Sequence, residues 1–532
     1  MRRRRVVIGL LALVGVLLGG IGLWQRYFAP LPPLEVSLWY WHQPFRIPAQ
    51  EAAQWRAVGV QQLFVQAGTF RKTDGGIHMV MPQVWETTGN GLEVQLVFRL
   101  DATLIHDFSN QDPDALARIL LEGIRSEREE AERAGVKVVG AQIDFDCPTR
   151  QLPKYAEVLQ RVRVAVASET FSLSITALPT WYGSREVDAV LAQVDFAVPQ
   201  YYEPELPKSL EKFTTVSRLS LLEHGLRAAS RQGTPFYAGL PSYGHTLLYD
   251  TQGQLAGTYR GMGAADAFRH PAFRQERAFA ADKKGLPTTA ETAIGETIYD
   301  FLAIAPARDG RGKGYHLVYD LPTPTLLQQH LALVRAQRPR NCRGVILFRY
   351  PDANPTNTLP NRTVQAVLRG EDPQPALKVE LKAKPLPWEF IETGHPATHP
   401  PQEVVVEVTN TGNAGTLLAP DAVTVTLAFD RPGLEDVLLG DADSVETAFS
   451  EAPIAALSAP ASGQRAGLRR ANVLTFHKIV LMPGESVKFG PLRLPADGAT
   501  QVQGAWSVAE PNHFTRITGT IAPVSLPREG QR

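Results

Sequence analysis

The stretch Val136-Lys137-Val138-Val139-Gly140-Ala141-Gln142-Ile143-Asp144-Phe145-Asp146-Cys147-Pro148 decides the fold. Its centre, 138–145, is a short apolar run of the kind that forms a parallel strand buried on both faces. Two carboxylates and a proline close it. Ahead of it, 112–134 is long and charged on one face, and Gly135 stands where a helix C-cap favours glycine. Behind it, 152–166 places Tyr155, Val158, Leu159, Val162 and Val166 on one helical stripe. The stretch therefore reads as a strand between two helices, with polar chemistry at the strand's C-terminal end.

The same unit recurs in both directions. Apolar runs lie at 35–41, 60–66, 93–100, 138–145, 171–177, 194–200, 235–240 and 344–348. Helical stretches at 48–58, 112–134, 152–166, 185–191, 217–231 and 325–337 separate most of them. Eight such units predict an α/β fold, a (β/α)8 TIM barrel over residues 34–370. A doubly wound sheet is the alternative, but no Gly-rich phosphate turn follows the first strand. An insertion at about 245–322, after strand seven, reads as a small α+β lid with a hairpin over 246–259 and a strand at 315–319.

The chain changes character after the barrel. Residues 371–376 form a Pro-containing linker. In 377–532, alternating strands at 377–381, 403–408, 422–429, 472–481, 485–492 and 501–508 predict an immunoglobulin-like β-sandwich. The Ala-, Ser- and Pro-rich stretch 441–470 reads as a mobile loop. His395 and His399 are four apart, but in a Pro-rich loop that spacing assigns no metal site.

At the N-terminus, Arg2 to Arg5 precede 19 residues without a charge, Val6 to Trp24. As a helix this run is about long enough to cross a bilayer core of roughly 30 Å. Residues 1–30 are expected to be an uncleaved signal anchor, with the arginines in the cytoplasm and the body exported. That makes a single-pass protein of the cytoplasmic membrane with its body in the periplasm or outside the cell. Secretion after signal cleavage is the alternative.

Composition excludes several classes. The chain has 54 basic and 54 acidic side chains, so no broad positive field marks it as a nucleic-acid binder. Two cysteines in 532 residues exclude a disulfide scaffold and a thiolate zinc cluster. Cys147 ends strand four and Cys342 precedes strand eight, at opposite barrel ends, so both are expected to be unpaired. No cofactor and no metal are assigned.

Barrel enzymes place their chemistry at the C-terminal strand ends. Here those ends carry Trp39 and Trp41, Arg99 and Asp101, Asp144 and Asp146, Trp181, Gln200, Tyr202 and Glu203, Tyr243, and Arg349. Aromatic faces stack on sugar rings, and carboxylates supply acid–base or nucleophilic chemistry at a glycosidic bond. The catalytic candidates are Asp146, Glu203, Asp144 and Tyr202. Asp146 would be the acid/base or stabilising carboxylate, Glu203 its partner, and Tyr202 an orienting group. The substrate-binding candidates are Trp39, Trp41, Arg99, Asp101, Trp181, Gln200, Tyr243 and Arg349. The structural alternative is that the aromatics only cap the barrel and that Asp144 is a bonded interior residue. Asp144 and Asp146, two apart, point the same way, so one should have a raised pKa.

These residues resemble family 18 glycoside hydrolases, the chitinase-type barrels. The strand-four motif of that family, Asp-Gly-x-Asp-x-Asp-x-Glu, falls on Ala141 to Pro148, and its two inner aspartates match Asp144 and Asp146. Val194-Asp195-Phe196 leading to Gln200-Tyr201-Tyr202-Glu203, the end of strand seven and strand eight also resemble it. The family's proton donor is the final Glu of the motif, where this chain has Pro148. The Asp-Phe-Asp-Cys-Pro-Thr-Arg run is closer to an uncharacterised bacterial group of glycosidase-like barrels, a domain of unknown function. The resemblance implies an envelope or extracellular polysaccharide or oligosaccharide as partner. Two other readings stand beside it: a non-catalytic glycan-binding barrel, and an envelope scaffold whose β-sandwich contacts another protein.

Overall fold

The computed structural model describes residues 30–526, apart from 87–88, 167–170, 203–204, 283, 289–296, 307–311, 352–356, 387–399, 454–456, 458–463 and 512–514. The first strands are β1 (Glu35–Tyr40), β2 (Val60–Thr73), its hairpin partner β3 (Gly76–Val80), β4 (Glu93–Leu100), β5 (Lys137–Asp144), β6 (Ser172–Ala177), β7 (Phe196–Pro199) and β8 (Phe236–Pro241). The insertion contributes β9 (His245–Tyr249), β10 (Leu255–Thr258), β11 (Phe273–Ala281), β12 (Pro287–Thr288), β13 (Thr297–Ala303) and β14 (His316–Leu321). The chain then returns to the barrel as β15 (Cys342–Phe348).

The sheet order β1-β15-β8-β7-β6-β5-β4-β2, with β1 also paired to β2, closes eight parallel strands into a barrel. Helices surround it. The helix Pro113–Arg133 starts where the Asp112 carboxylate accepts from the Ala115 amide. Past its end, Gly135 has φ +82°, the left-handed conformation that glycine adopts without cost.

Strand alternation sorts the barrel side chains. Leu38, Leu63, Leu96, Phe98, Ile143 and Ile175 point outward into the core beneath the helices. Trp39, Phe64, Val97, Val198 and Ile346 point inward. Polar groups share the interior. The Trp39 indole Nε1 donates to Gln142 Oε1 at 2.8 Å, and Gln142 Nε2 donates to Ser174 Oγ at 3.3 Å. Buried amides and hydroxyls are tolerated where they bond one another.

The insertion is larger and more ordered in topology than a hairpin plus one strand. It is a six-stranded antiparallel sheet, β10-β9-β14-β13-β11-β12. Charged positions on β11 (Arg274, Glu276, Arg277) hid its apolar period in the sequence. One face packs Tyr299, Phe301 and Tyr319 against the helix Ala264–Arg269 and against Leu418 and Ile479 of the C-terminal domain. Arg269 pairs with Asp443 at 2.5 Å, and the Tyr299 hydroxyl donates to the Leu418 carbonyl.

The C-terminal domain continues with β16 (Leu377–Pro385), β17 (Gln402–Asn410), β18 (Val423–Phe429), β19 (Asp436–Val437), β20 (Ser444–Phe449), β21 (Gln464–Arg465), β22 (Val473–Lys478), β23 (Ser486–Leu494), β24 (Gln501–Ala509) and β25 (Arg516–Ser525). Two antiparallel sheets, β16-β17-β23-β19 and β21-β20-β22-β18-β24-β25, form a sandwich. Its core includes Val404, Val406, Leu427, Phe476 and Phe489. The 441–470 stretch, expected to be a loop, contains β20 and β21. β20 pairs along the β22 edge and β21 along β20, contacts that local composition does not encode. The predicted signal anchor, His395 and His399 lie outside the described residues. Among the described residues, no helix is long and apolar enough to cross a membrane.

Candidate active site

The C-terminal mouth of the barrel has two unlike walls. The polar wall comes from neighbouring strands. Arg99, next to last in β4, stands opposite Asp144 of β5 in the parallel register. Asp146 follows two residues later on the same side. Thr176, on β6, donates its hydroxyl to Asp144 Oδ1 at 2.8 Å. Gln200, just past β7, is half-buried and bridges to Gly239 of β8.

The aromatic wall comes from the ends of β1, β7, β8 and β15. Tyr202 stacks on Phe348 with ring centres 5.6 Å apart and planes at 17°. Tyr243 and Trp41 meet the same Phe348 ring edge-on at 5.0 and 5.6 Å. Trp39 lies beneath, 5.9 Å from Phe348. Trp39 is 1% exposed, so it is the floor of this cluster and offers no open platform. Its bond to Gln142 holds it there.

The two aspartates differ. The Asp144 carboxyl is enclosed by protein and keeps only a little accessible surface. Burial, and then the nearby Asp146 charge, push it up to about 6, against the pull of the Thr176 hydroxyl and the Arg99 charge. The Asp146 side chain is exposed at the rim, yet the surrounding rim atoms still desolvate its carboxyl and raise its pKa, opposed by Arg99. Two neighbouring carboxyls, both with raised proton affinity, in one mouth suit acid–base work.

Several predicted site residues stand elsewhere. Trp181 is a correction: it is 0% exposed, folded back by the 3-10 turn Pro179–Gly183. Its indole donates to the Cys147 carbonyl at 2.9 Å and meets Tyr155 at 6.1 Å, behind the barrel wall. Asp101, just past the end of β4, already has partners. It caps the helix Ala102–Asp107 through the Thr103 amide and pairs with Arg71 at 2.7 Å. Although partial burial works against it, these bonds hold Asp101 below the usual carboxylate range. Arg349 is half-buried, and its carbonyl accepts from Ser242 Oγ at 3.0 Å. Glu203 lies outside the described residues. Pro148, at the position of the family 18 acid, opens a 3-10 turn at Thr149–Gln151. Cys147 and Cys342 are both free and buried, as expected. Among the described residues, no group of three or more His, Cys, Asp or Glu could hold a metal ion.

Phe348, Thr176 and Gln142 were missing from the sequence reading. One signal for two of them was present: Ser172, Ser174 and Thr176 put a hydroxyl at every second position of a buried strand, which marks a polar barrel interior.

Residues 94–261 match the family described as a domain of unknown function, DUF3142. The DUF3142 segment carries the whole polar wall together with Tyr202 and Tyr243, while Trp39, Trp41 and Phe348 lie outside it. No curated protein matches the chain. Similar solved structures include the spore cortex-lytic enzyme SleL of Bacillus megaterium, at 15% identity, TM-score 0.43, covering 65% of this chain and 79% of that one. SleL of Bacillus cereus is similar at 16% identity, TM-score 0.42, covering 64% and 75%. A chitinase from Chromobacterium violaceum is similar at 13% identity, TM-score 0.41, covering 63% and 98%. Likeness at this level says nothing of a substrate.

Proposed function

We propose that the barrel is a glycoside hydrolase acting on an envelope or extracellular polysaccharide. The observation that carries this reading is the two-walled mouth. A carboxylate pair with raised proton affinity faces a wall of Trp41, Tyr202, Tyr243 and Phe348. Sugar rings need both surfaces: aromatic faces for their C–H sides and acid–base groups for the glycosidic oxygen. Asp146, reachable from solvent, acts as the acid/base. Asp144, held by Thr176, tunes it from below. Glu203 is the second carboxylate of the proposal. The test is hydrolysis of a glycan panel by the wild-type chain, by Asp146→Asn and by Glu203→Gln. Turnover untouched by both changes refutes the assignment.

A second reading, glycan binding without turnover, draws support from Pro148 standing where the family 18 acid would be. Binding without any product, lost on Trp41→Ala, decides for it. We also propose that residues 6–24 anchor the protein in the cytoplasmic membrane with the body exported. Fractionation, with protease access from the outer side, tests that placement; a body protected from external protease refutes it.

A further inference from the structure

Resting on the glycan reading, we propose that Arg99 makes the mouth selective for saccharides carrying a carboxylate. Arg99 is exposed on the inward side of β4, next to two acids. An arginine so placed would ordinarily close an ion pair, as Arg71 does with Asp101 at 2.7 Å and Lys72 does with Asp107. Arg99 does not: among the described residues its guanidinium has no hydrogen bond and no ion pair. Its charge is still felt by both Asp144 and Asp146. The donor fork is thus held near the acids but left open to the mouth.

A guanidinium fork matches a planar carboxylate with two parallel bonds. The aromatic wall would take the apolar ring face while Arg99 takes the acid group across the mouth. Binding has a second consequence. A ligand carboxylate on Arg99 offsets the positive charge that holds down the proton affinity of Asp146, so binding raises that affinity further and favours proton uptake as the acidic sugar enters. The neutral acid no longer repels the ligand, and it is the form a general acid needs.

The experiment is calorimetric titration of the full chain with oligogalacturonate, alginate and hyaluronan oligomers. Each is paired with its carboxyl-reduced, neutral form, and a chitooligosaccharide is run beside them. Buffers of differing ionisation enthalpy report the protons exchanged. At least one acidic oligomer should bind about tenfold or more tightly than its reduced form, with net proton uptake. Arg99→Gln should abolish that preference and the uptake, while Arg99→Lys retains part of both. Melting curves confirm that both variants are folded. Equal or tighter binding of the neutral forms, or a preference that survives Arg99→Gln, overturns the Arg99 assignment and leaves the glycan reading standing. Binding of no saccharide, acidic or neutral, overturns both.

Discussion

Asp144→Asn is expected to stabilise the protein, and only above about pH 4. In the folded chain burial and the Asp146 charge push Asp144 up to about 6. In the unfolded chain it is an ordinary carboxyl, near 3.9. The folded state therefore holds this proton more tightly than the unfolded state. The cost to stability is absent below the unfolded pKa, grows between about pH 4 and pH 6, and is fully present above. About two pH units at 1.36 kcal/mol each set an upper limit of about 3 kcal/mol. Asparagine has no charge to bury, and its Oδ1 can still accept from Thr176. Its new amide hydrogens need room, so a gain of about 1.5–3 kcal/mol is the working range. An unfolding entropy of about 2.1 cal/mol/K per residue over roughly 340 barrel residues gives about 0.7 kcal/mol/K, so Tm rises by about 2–4 °C. The assay is thermal melting of the wild type and Asp144→Asn at pH 8 and pH 4. The variant should melt higher at pH 8 and level with the wild type at pH 4. A lower Tm at pH 8 refutes the reasoning, because Thr176 and Arg99 would then stabilise the charge by more than burial costs.

Three further outcomes follow from the packing. Trp181→Ala should cost about 3–5 kcal/mol, because it empties a fully buried site; an unchanged Tm with weakened glycan binding would return Trp181 to the rim. Gln142→Leu leaves the buried Trp39 Nε1 without its acceptor and should cost about 1–3 kcal/mol in urea unfolding, and an unmoved midpoint would mean that another group takes the bond. Burial pushes the Cys147 thiol up to about 12 and the Cys342 thiol up to about 11, so a thiol reagent should label neither in the native chain and both in denaturant. Rapid native labelling would show that one site opens.

The barrel was legible because each strand is buried on both faces and therefore apolar almost throughout, while each helix needs only one apolar stripe. These periods survive without an alignment. The sandwich strands 403–408 and 422–429 were legible through alternation, which a half-buried antiparallel strand requires. Strands β11, β20 and β25 were not legible, because their residues become strand only where a neighbouring edge offers hydrogen bonds.

The site was legible in part for a related reason. Sequence placed Asp144, Asp146, Arg99 and Tyr202 near strand ends, and chain geometry then puts them at one mouth. Sequence could not tell Trp41, on the wall, from Trp181, turned behind it. That difference rests on one 3-10 turn and on which buried carbonyl the indole reaches. It likewise could not tell Asp101, used up as a cap, from Arg99, left open two residues earlier.

The stretch 136–148 by itself determined a two-sided buried strand ending in paired acids, because hydrophobic period and strand direction are local properties. Only the tertiary structure decided which acid is enclosed, which is open, and that Arg99 stands beside both without closing a bond among the described residues. Burial and proton affinity depend on atoms that strands far apart in sequence bring to the same few ångströms.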